Sequence, residues 1–148
     1  MVLEYLNQRE TMVLKQLEEA QTCAHTEQNI PKGEFAVGLN WNGYEERAVW
    51  IHIDEIYDFV DTLNEVVDSD GEATDGITGV LLGRSNNPPK CAICDAKIEV
   101  DELPALTIES EIPRYAMWMH FDDNCIEQFQ RELATVEEKL YLVIPDRL

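Results

Sequence analysis

The sequence predicts an α+β fold, and three observations carry that prediction. Three segments place apolar residues at helical spacing, and another alternates apolar residues with smaller or polar ones around an Asn-Gly pair. The chain of 148 residues is 45% apolar, enough to build a core. Such a length fits one domain of ordinary size or two small ones.

The elements follow in order. Leu3, Leu6, Val13, Leu17, Ala20 and Ala24 recur at helical spacing, with Glu, Gln and Lys on the other faces, which predicts an N-terminal helix. Pro31 and Gly33 then break it. Phe35, Val37, Leu39 and Trp41 alternate like a half-buried strand, and Asn42-Gly43 suits a two-residue type I′ hairpin turn. That turn would set Trp41 opposite Tyr44, Val37 opposite Ala48 and Phe35 opposite Trp50. A second helix starts near Asp54, a candidate N-cap, with Ile56, Phe59, Val60, Leu63 and Val67 on one face. The acidic stretch Asp68 to Gly76 reads as a loop, Ile77 to Gly83 as a short strand, and Arg84 to Lys90 as a linker. Two strands, LPALTIES and RYAMWMH, meet at Ile112-Pro113. A long helix follows, with Asp122 as N-cap and Ile126, Phe129, Leu133, Val136 and Leu140 along one stripe. YLVIP reads as a closing edge strand, and no internal repeat is apparent. The expected division is 1–83, an α+β domain, and 84–148, a second module.

Charge is the strongest compositional signal. Eleven basic against thirty acidic residues give −19, which repels nucleic-acid backbones as a whole and argues for protein partners. Two sources of such acidity stay open: a surface hydrated in high salt, as in halophilic archaea and their viruses, or a face that meets a basic partner. A local basic set, Arg84, Lys90, Lys97 and Arg114, keeps nucleic acid as an alternative partner. No apolar run reaches the roughly 18 residues of a membrane span. The start lacks the basic and apolar regions of a signal peptide, so the protein is expected in the cytoplasm, with reduced thiols.

Four residues carry the chemistry. Cys91 and Cys94, in PPKCAIC, offer two thiolates on one tight turn, which is half of a tetrahedral zinc site. His120 and Cys125, in HFDDNC, offer the other half where a strand passes into a helix, whose N-terminus favours a thiolate. A thioredoxin-like motif fits less well, because prolines precede the pair and no helix opens at it. Unligated thiols are the plain alternative.

The order of knuckle, hairpin and helix whose first turn supplies the last ligand resembles the treble-clef zinc fingers. The resemblance covers roughly residues 88 to 140 and rests on Cys91, Cys94, His120 and Cys125. Many treble clefs space the final two ligands more closely than His120 and Cys125. It implies one structural Zn2+ and a role in binding protein or nucleic acid, between which the fold does not choose.

Other constellations carry less. Cys23 and His25 could form a second metal pair, though a buried thiol beside an exposed histidine is the commoner arrangement. His52 near Asp54 invites a catalytic role, but no nucleophile is marked nearby. The stretch DSDGEATDG fails as an EF-hand, since Val66 and Ile77 fall on its first and twelfth positions. Trp41, Tyr44, Trp50, Tyr115 and Trp118 could form an aromatic platform, with core packing as the default. The expectation is therefore a non-enzymatic, regulatory zinc-binding interaction protein. A homodimer is suggested by the stripes of the first and last helices. The alternatives are a sequence-specific DNA-binding regulator or, less supported, a metal-dependent nuclease or hydrolase.

Overall fold

The computed structural model describes residues 3–41, 43, 48–68, 80–83, 90–98, 105–111 and 114–143. Among them are two helices and antiparallel sheets, an α+β architecture. A four-stranded sheet holds β1 (Leu3–Tyr5), β2 (Val13–Gln16), β5 (Phe35–Leu39) and β6 (Val49–His52) in the order β1-β2-β5-β6. The short strands β3 (Gln21–Thr22) and β4 (Asn29–Ile30) pair with each other. Helix α1 (Ile56–Asp68) follows β6 through a single 3₁₀ turn, Ile53–Glu55. In the second half, β7 (Val80–Gly83), β8 (Ala105–Glu111) and β9 (Arg114–Met119) form a three-stranded sheet, and α2 (Asp123–Val143) closes the chain.

The expected N-terminal helix is absent; strands stand in its place. Asn7 explains the break. Its side-chain oxygen accepts the backbone N–H groups of Thr11 and Met12, each at 3.0 Å, while Leu6 N–H donates to Met12 O at 2.8 Å. These bonds close a loop rather than a helical turn. Met12, Val13 and Leu14 are consecutive and all fully buried, as befits a strand covered on both faces. Helical spacing and a doubly buried strand overlap in this segment, and the tertiary environment decides.

The hairpin of β5 and β6 forms in a different register from the one expected. Val37 pairs with Ile51 and Gly38 with Trp50, three positions from the pairing that an Asn42-Gly43 turn would impose. Of that turn only Gly43 lies among the described residues, with φ of +83°. Gly38 shows what selects the register. A Cβ there would stand 2.8 Å from the Trp50 ring, so the glycine makes room for the indole. Trp41 meets Trp50 edge-on with centroids 6.0 Å apart, and both are buried. The expected aromatic face is thus an interior one at these two positions. Tyr44 lies outside the described residues, as does the side chain of Tyr115.

Helix α1 forms as expected, with Ile56, Phe59, Val60, Leu63 and Val66 buried. Its entry differs: His52, not Asp54, caps the preceding 3₁₀ turn, its Nδ1 accepting the Asp54 N–H at 3.1 Å. Strand β7, expected with the first half, is hydrogen-bonded to β8. The residues 141–143, expected as a strand, continue α2. The loop 69–76 and most of the linker 84–90 lie outside the described residues. One cluster of buried side chains runs through both halves, from Leu6 and Trp50 to Phe129 and Leu140. Gln130 of α2 donates to Asn64 of α1 at 2.9 Å across it. Although the sequence shows no apparent repeat, both halves run strand, turn, hairpin and helix in the same order.

Candidate metal centre

The turn after Lys90 presents the first two donors. Lys90 bridges Lys97, Cys91 N–H donates to Ala96 O at 2.9 Å, and Asp95 N–H returns to Cys91 O at 2.9 Å. Asp95 takes a left-handed φ of 62°, the local strain that bends the loop back on itself. Ala92 N–H donates to Trp118 O at 2.8 Å and so fastens the turn to β9. His120 follows the end of β9. The side chain of Asp122 caps α2 by accepting the Cys125 N–H at 2.8 Å, which holds Cys125 in the first helical turn.

These elements bring Cys91, Cys94, His120 and Cys125 together, with their donor atoms all within 4.8 Å of one another. Cys91 Sγ and Cys125 Sγ are 3.8 Å apart. His120 Nδ1 lies 3.4 Å from Cys94 Sγ and 3.9 Å from Cys125 Sγ. Metal–sulfur bonds of about 2.3 Å at tetrahedral angles set two sulfurs about 3.8 Å apart, and a sulfur and an imidazole nitrogen about 3.5 Å apart. The four donors therefore enclose a volume of the size of one tetrahedral ion. The wide spacing of His120 and Cys125 in the sequence is absorbed by the strand–helix junction.

The surroundings suit thiolates. Cys91 Sγ accepts the N–H groups of Ile93 and His120, each at 3.4 Å. His120 Nε2 lies 3.2 Å from Lys97 O, an arrangement that keeps the proton on Nε2 and leaves the Nδ1 lone pair facing the sulfurs. Burial, and next the neighbouring Cys91, push the Cys125 thiol well above the usual cysteine range. A metal bound at the site would displace the Cys125 proton. No disulfide forms: all four cysteines are free.

Arg9 has no precedent in the sequence reasoning. It extends from the turn between β1 and β2, and its Nη1 donates to Ala92 O at 2.8 Å and Ile93 O at 3.3 Å. Its Nε and Nη2 grip both oxygens of Glu132 on α2, at 2.7 and 2.8 Å. The guanidinium so ties the cysteine turn to the helix that carries Cys125. A lone arginine 82 positions before Cys91 gives no local signal of this role.

The remaining candidates separate. Cys23 and His25 do not converge: Cys23 Sγ accepts the His52 N–H at 3.4 Å, while His25 Nε2 meets Asp58 Oδ2 at 2.8 Å. His25, Glu55 and Asp58 form a second group of donors within 4.8 Å. His25 is itself buried, against the expectation of an exposed side chain. His52 is occupied as a turn cap beside Asp54. Of the basic set, Lys90 and Lys97 are exposed, Arg84 lies outside the described residues, and the Arg114 side chain is not described. No described helix is long and apolar enough to cross a membrane. Comparison with protein-family models, with characterised proteins and with solved structures found no match for this chain.

Proposed function

We propose that the protein is a non-enzymatic interaction or regulatory protein built around one structural zinc ion held by Cys91, Cys94, His120 and Cys125. The observation that carries this reading is the closed donor set, four protein atoms within 4.8 Å of one another. Four protein ligands leave no position for water or substrate, so the metal organises the fold and activates nothing. Three thiols and an imidazole select a soft divalent ion, and zinc is the commonest ion in such a set. The treble-clef resemblance agrees with the cysteine turn, the hairpin and the ligand in the first turn of α2.

Protein is the favoured partner, because a charge of −19 opposes nucleic acid over most of the surface. The same charge fits a protein kept hydrated at high salt, as in a halophilic archaeon or its virus. One feature supports the second reading, a DNA-binding regulator. A groove of about 440 Å³ between the β1–β2 turn and α2 is lined by Arg131 and Lys139 beside the Arg9–Glu132 pair, in a chain with eleven basic residues.

Metal analysis of the purified protein, with thiols titrated in denaturant before and after chelation, tests the zinc. One zinc per chain is expected, with Cys91, Cys94 and Cys125 protected until chelation. A metal-free protein, or a disulfide between Cys91 and Cys94, overturns the reading. A mobility shift with duplex DNA at molar salt decides between the two partners. Protein partnership predicts no shift.

A further inference from the structure

The turn at Cys23 in the first half repeats the turn at Cys91 in the second, bond for bond. Cys91 N–H donates to Ala96 O; 68 positions earlier, Cys23 N–H donates to Gln28 O at 2.8 Å. Asp95 N–H returns to Cys91 O, and Glu27 N–H returns to Cys23 O at 2.7 Å. Ala92 N–H donates to Trp118 O, and Ala24 N–H to Trp50 O, both at 2.8 Å. His120 N–H points at Cys91 Sγ and His52 N–H at Cys23 Sγ, both at 3.4 Å. The bridge between Lys90 and Lys97 has its counterpart in the pairing of Thr22 with Asn29. Glu27 and Asp95 share a left-handed φ, 61° and 62°, which non-glycine residues seldom adopt. A chance resemblance of turns does not reproduce this set at one constant offset.

The flanking elements match too. Strand β2 lies beside β5 as β7 lies beside β8, and each hairpin leads into a helix. Buried residues of the helices correspond at an offset of 70: Ile56 with Ile126, Phe59 with Phe129, Leu63 with Leu133 and Val66 with Val136. Two residues are therefore missing from the first half between the histidine and the helix. By that offset, Glu55 stands where Cys125 stands.

We propose that residues 13–68 and 80–143 are two copies of one strand–knuckle–hairpin–helix unit, and that the first copy retains a dismantled metal centre at Cys23, Thr26, His52 and Glu55. The proposal rests on reading Cys91, Cys94, His120 and Cys125 as the intact centre. Those four positions of the first copy line a single cavity of about 240 Å³. Two of the four keep their donor type, Cys23 for Cys91 and His52 for His120. Thr26 replaces Cys94 with a weakly coordinating hydroxyl, and Glu55 replaces Cys125 with a carboxylate. The loss has left a hydrogen-bonded substitute. His52 Nδ1 accepts the Asp54 N–H at 3.1 Å, whereas His120 Nδ1 faces two sulfurs. Glu55 groups with His25 and Asp58 on another side.

Restoring the two lost thiols should restore the site, because the turn and strand end that aim Cys23, Thr26 and His52 are still present. Thr26 and Glu55 are both half-buried, so cysteine is accommodated at either position. Cobalt(II), a tetrahedral stand-in for zinc with visible absorption, provides the readout. The wild-type protein is expected to take up one cobalt per chain, and T26C/E55C two, with thiolate charge-transfer absorption rising about twofold. A folded T26C/E55C that binds no more cobalt than wild type overturns the proposal. So does a wild-type protein that binds cobalt at both copies. If the double variant does not fold, T26C alone decides, since it supplies two thiolates and His52; no added cobalt absorption then counts against the proposal. A wild type that takes up no cobalt sinks the intact centre instead, and the gain in T26C/E55C still tests the first copy by itself.

Discussion

At the scale of single residues, two side chains set conditions that their neighbours obey. Gly38 admits the Trp50 ring at a distance no Cβ tolerates. Ala at this position would push the indole or part β5 from β6. G38A is therefore expected to lose roughly 1–3 kcal/mol, the usual cost of overpacking a tight core, measured by denaturant unfolding. Arg9 acts at longer reach, with a fork matched to the Glu132 carboxylate and two carbonyls of the cysteine turn. Lysine keeps the charge and loses the fork. R9K should keep the fold and bind zinc about tenfold more weakly in competition with a chromophoric chelator, in the range seen when groups that orient metal ligands are removed. Neither residue announces itself in the sequence. A strand glycine reads as a weak point, and an isolated arginine reads as surface. The four candidate ligands were legible because zinc donors come in few types and at short spacing.

At the scale of elements, the two helices were legible and the strands less so. A stripe such as Phe129, Leu133, Val136 and Leu140 has one reading, and all four are fully buried. They pack within the chain, so this stripe presents no face to a second copy. The N-terminal segment was ambiguous because strands covered on both faces lose their alternation. The hairpin register was misplaced because a turn pair was weighed above the fit of a large ring over a glycine. Charge leaves its own mark on α2. Burial, and secondarily Asp61 of α1, push Glu137 above the usual carboxylate range. Ionisation of Glu137 is thus less favourable in the fold than in the unfolded chain. Its contribution is intact in acid and erodes as pH rises through the carboxylate range. E137Q should therefore raise stability at pH 7 by roughly 0.2–1 kcal/mol at low ionic strength, since the group is partly exposed and solvent screens it. The part due to Asp61 should shrink in molar salt, and the whole gain should disappear in acid, where Glu137 is protonated. Thermal unfolding across pH checks the sign.

At the scale of the whole molecule, the shared core would make a metal bound at Cys91, Cys94, His120 and Cys125 a concern of both halves. Buried residues of β2, β6, α1 and α2 belong to one cluster. Chelation should then lower the unfolding temperature of the first half, which holds none of Cys91, Cys94, His120 and Cys125. The chain has three tryptophans, at 41, 50 and 118, so W118F leaves only reporters of the first half. In W118F, fluorescence-detected unfolding should shift to lower temperature with EDTA. An unshifted transition would mean that the halves melt independently. This coupling was not legible beforehand, because the contacts that create it join residues far apart in the chain. The doubled architecture escaped for a related reason. Cys-Ala, Ile and Trp-x-His-x-Asp recur at one offset, but so few identities over 68 positions carry little weight until the hydrogen bonds align them.

The Arg9 turn belongs to neither copy. It precedes the first unit, yet seats on the cysteine turn of the second. Portability is what this forfeits. A fragment cut at residue 80 would carry Cys91, Cys94, His120 and Cys125 and leave the clamp behind, so the second half cannot be treated as a cassette for grafting into other proteins. It also orders events at the ribosome: the clamp is synthesised first and waits, through two sheets and a helix, for the loop it will hold.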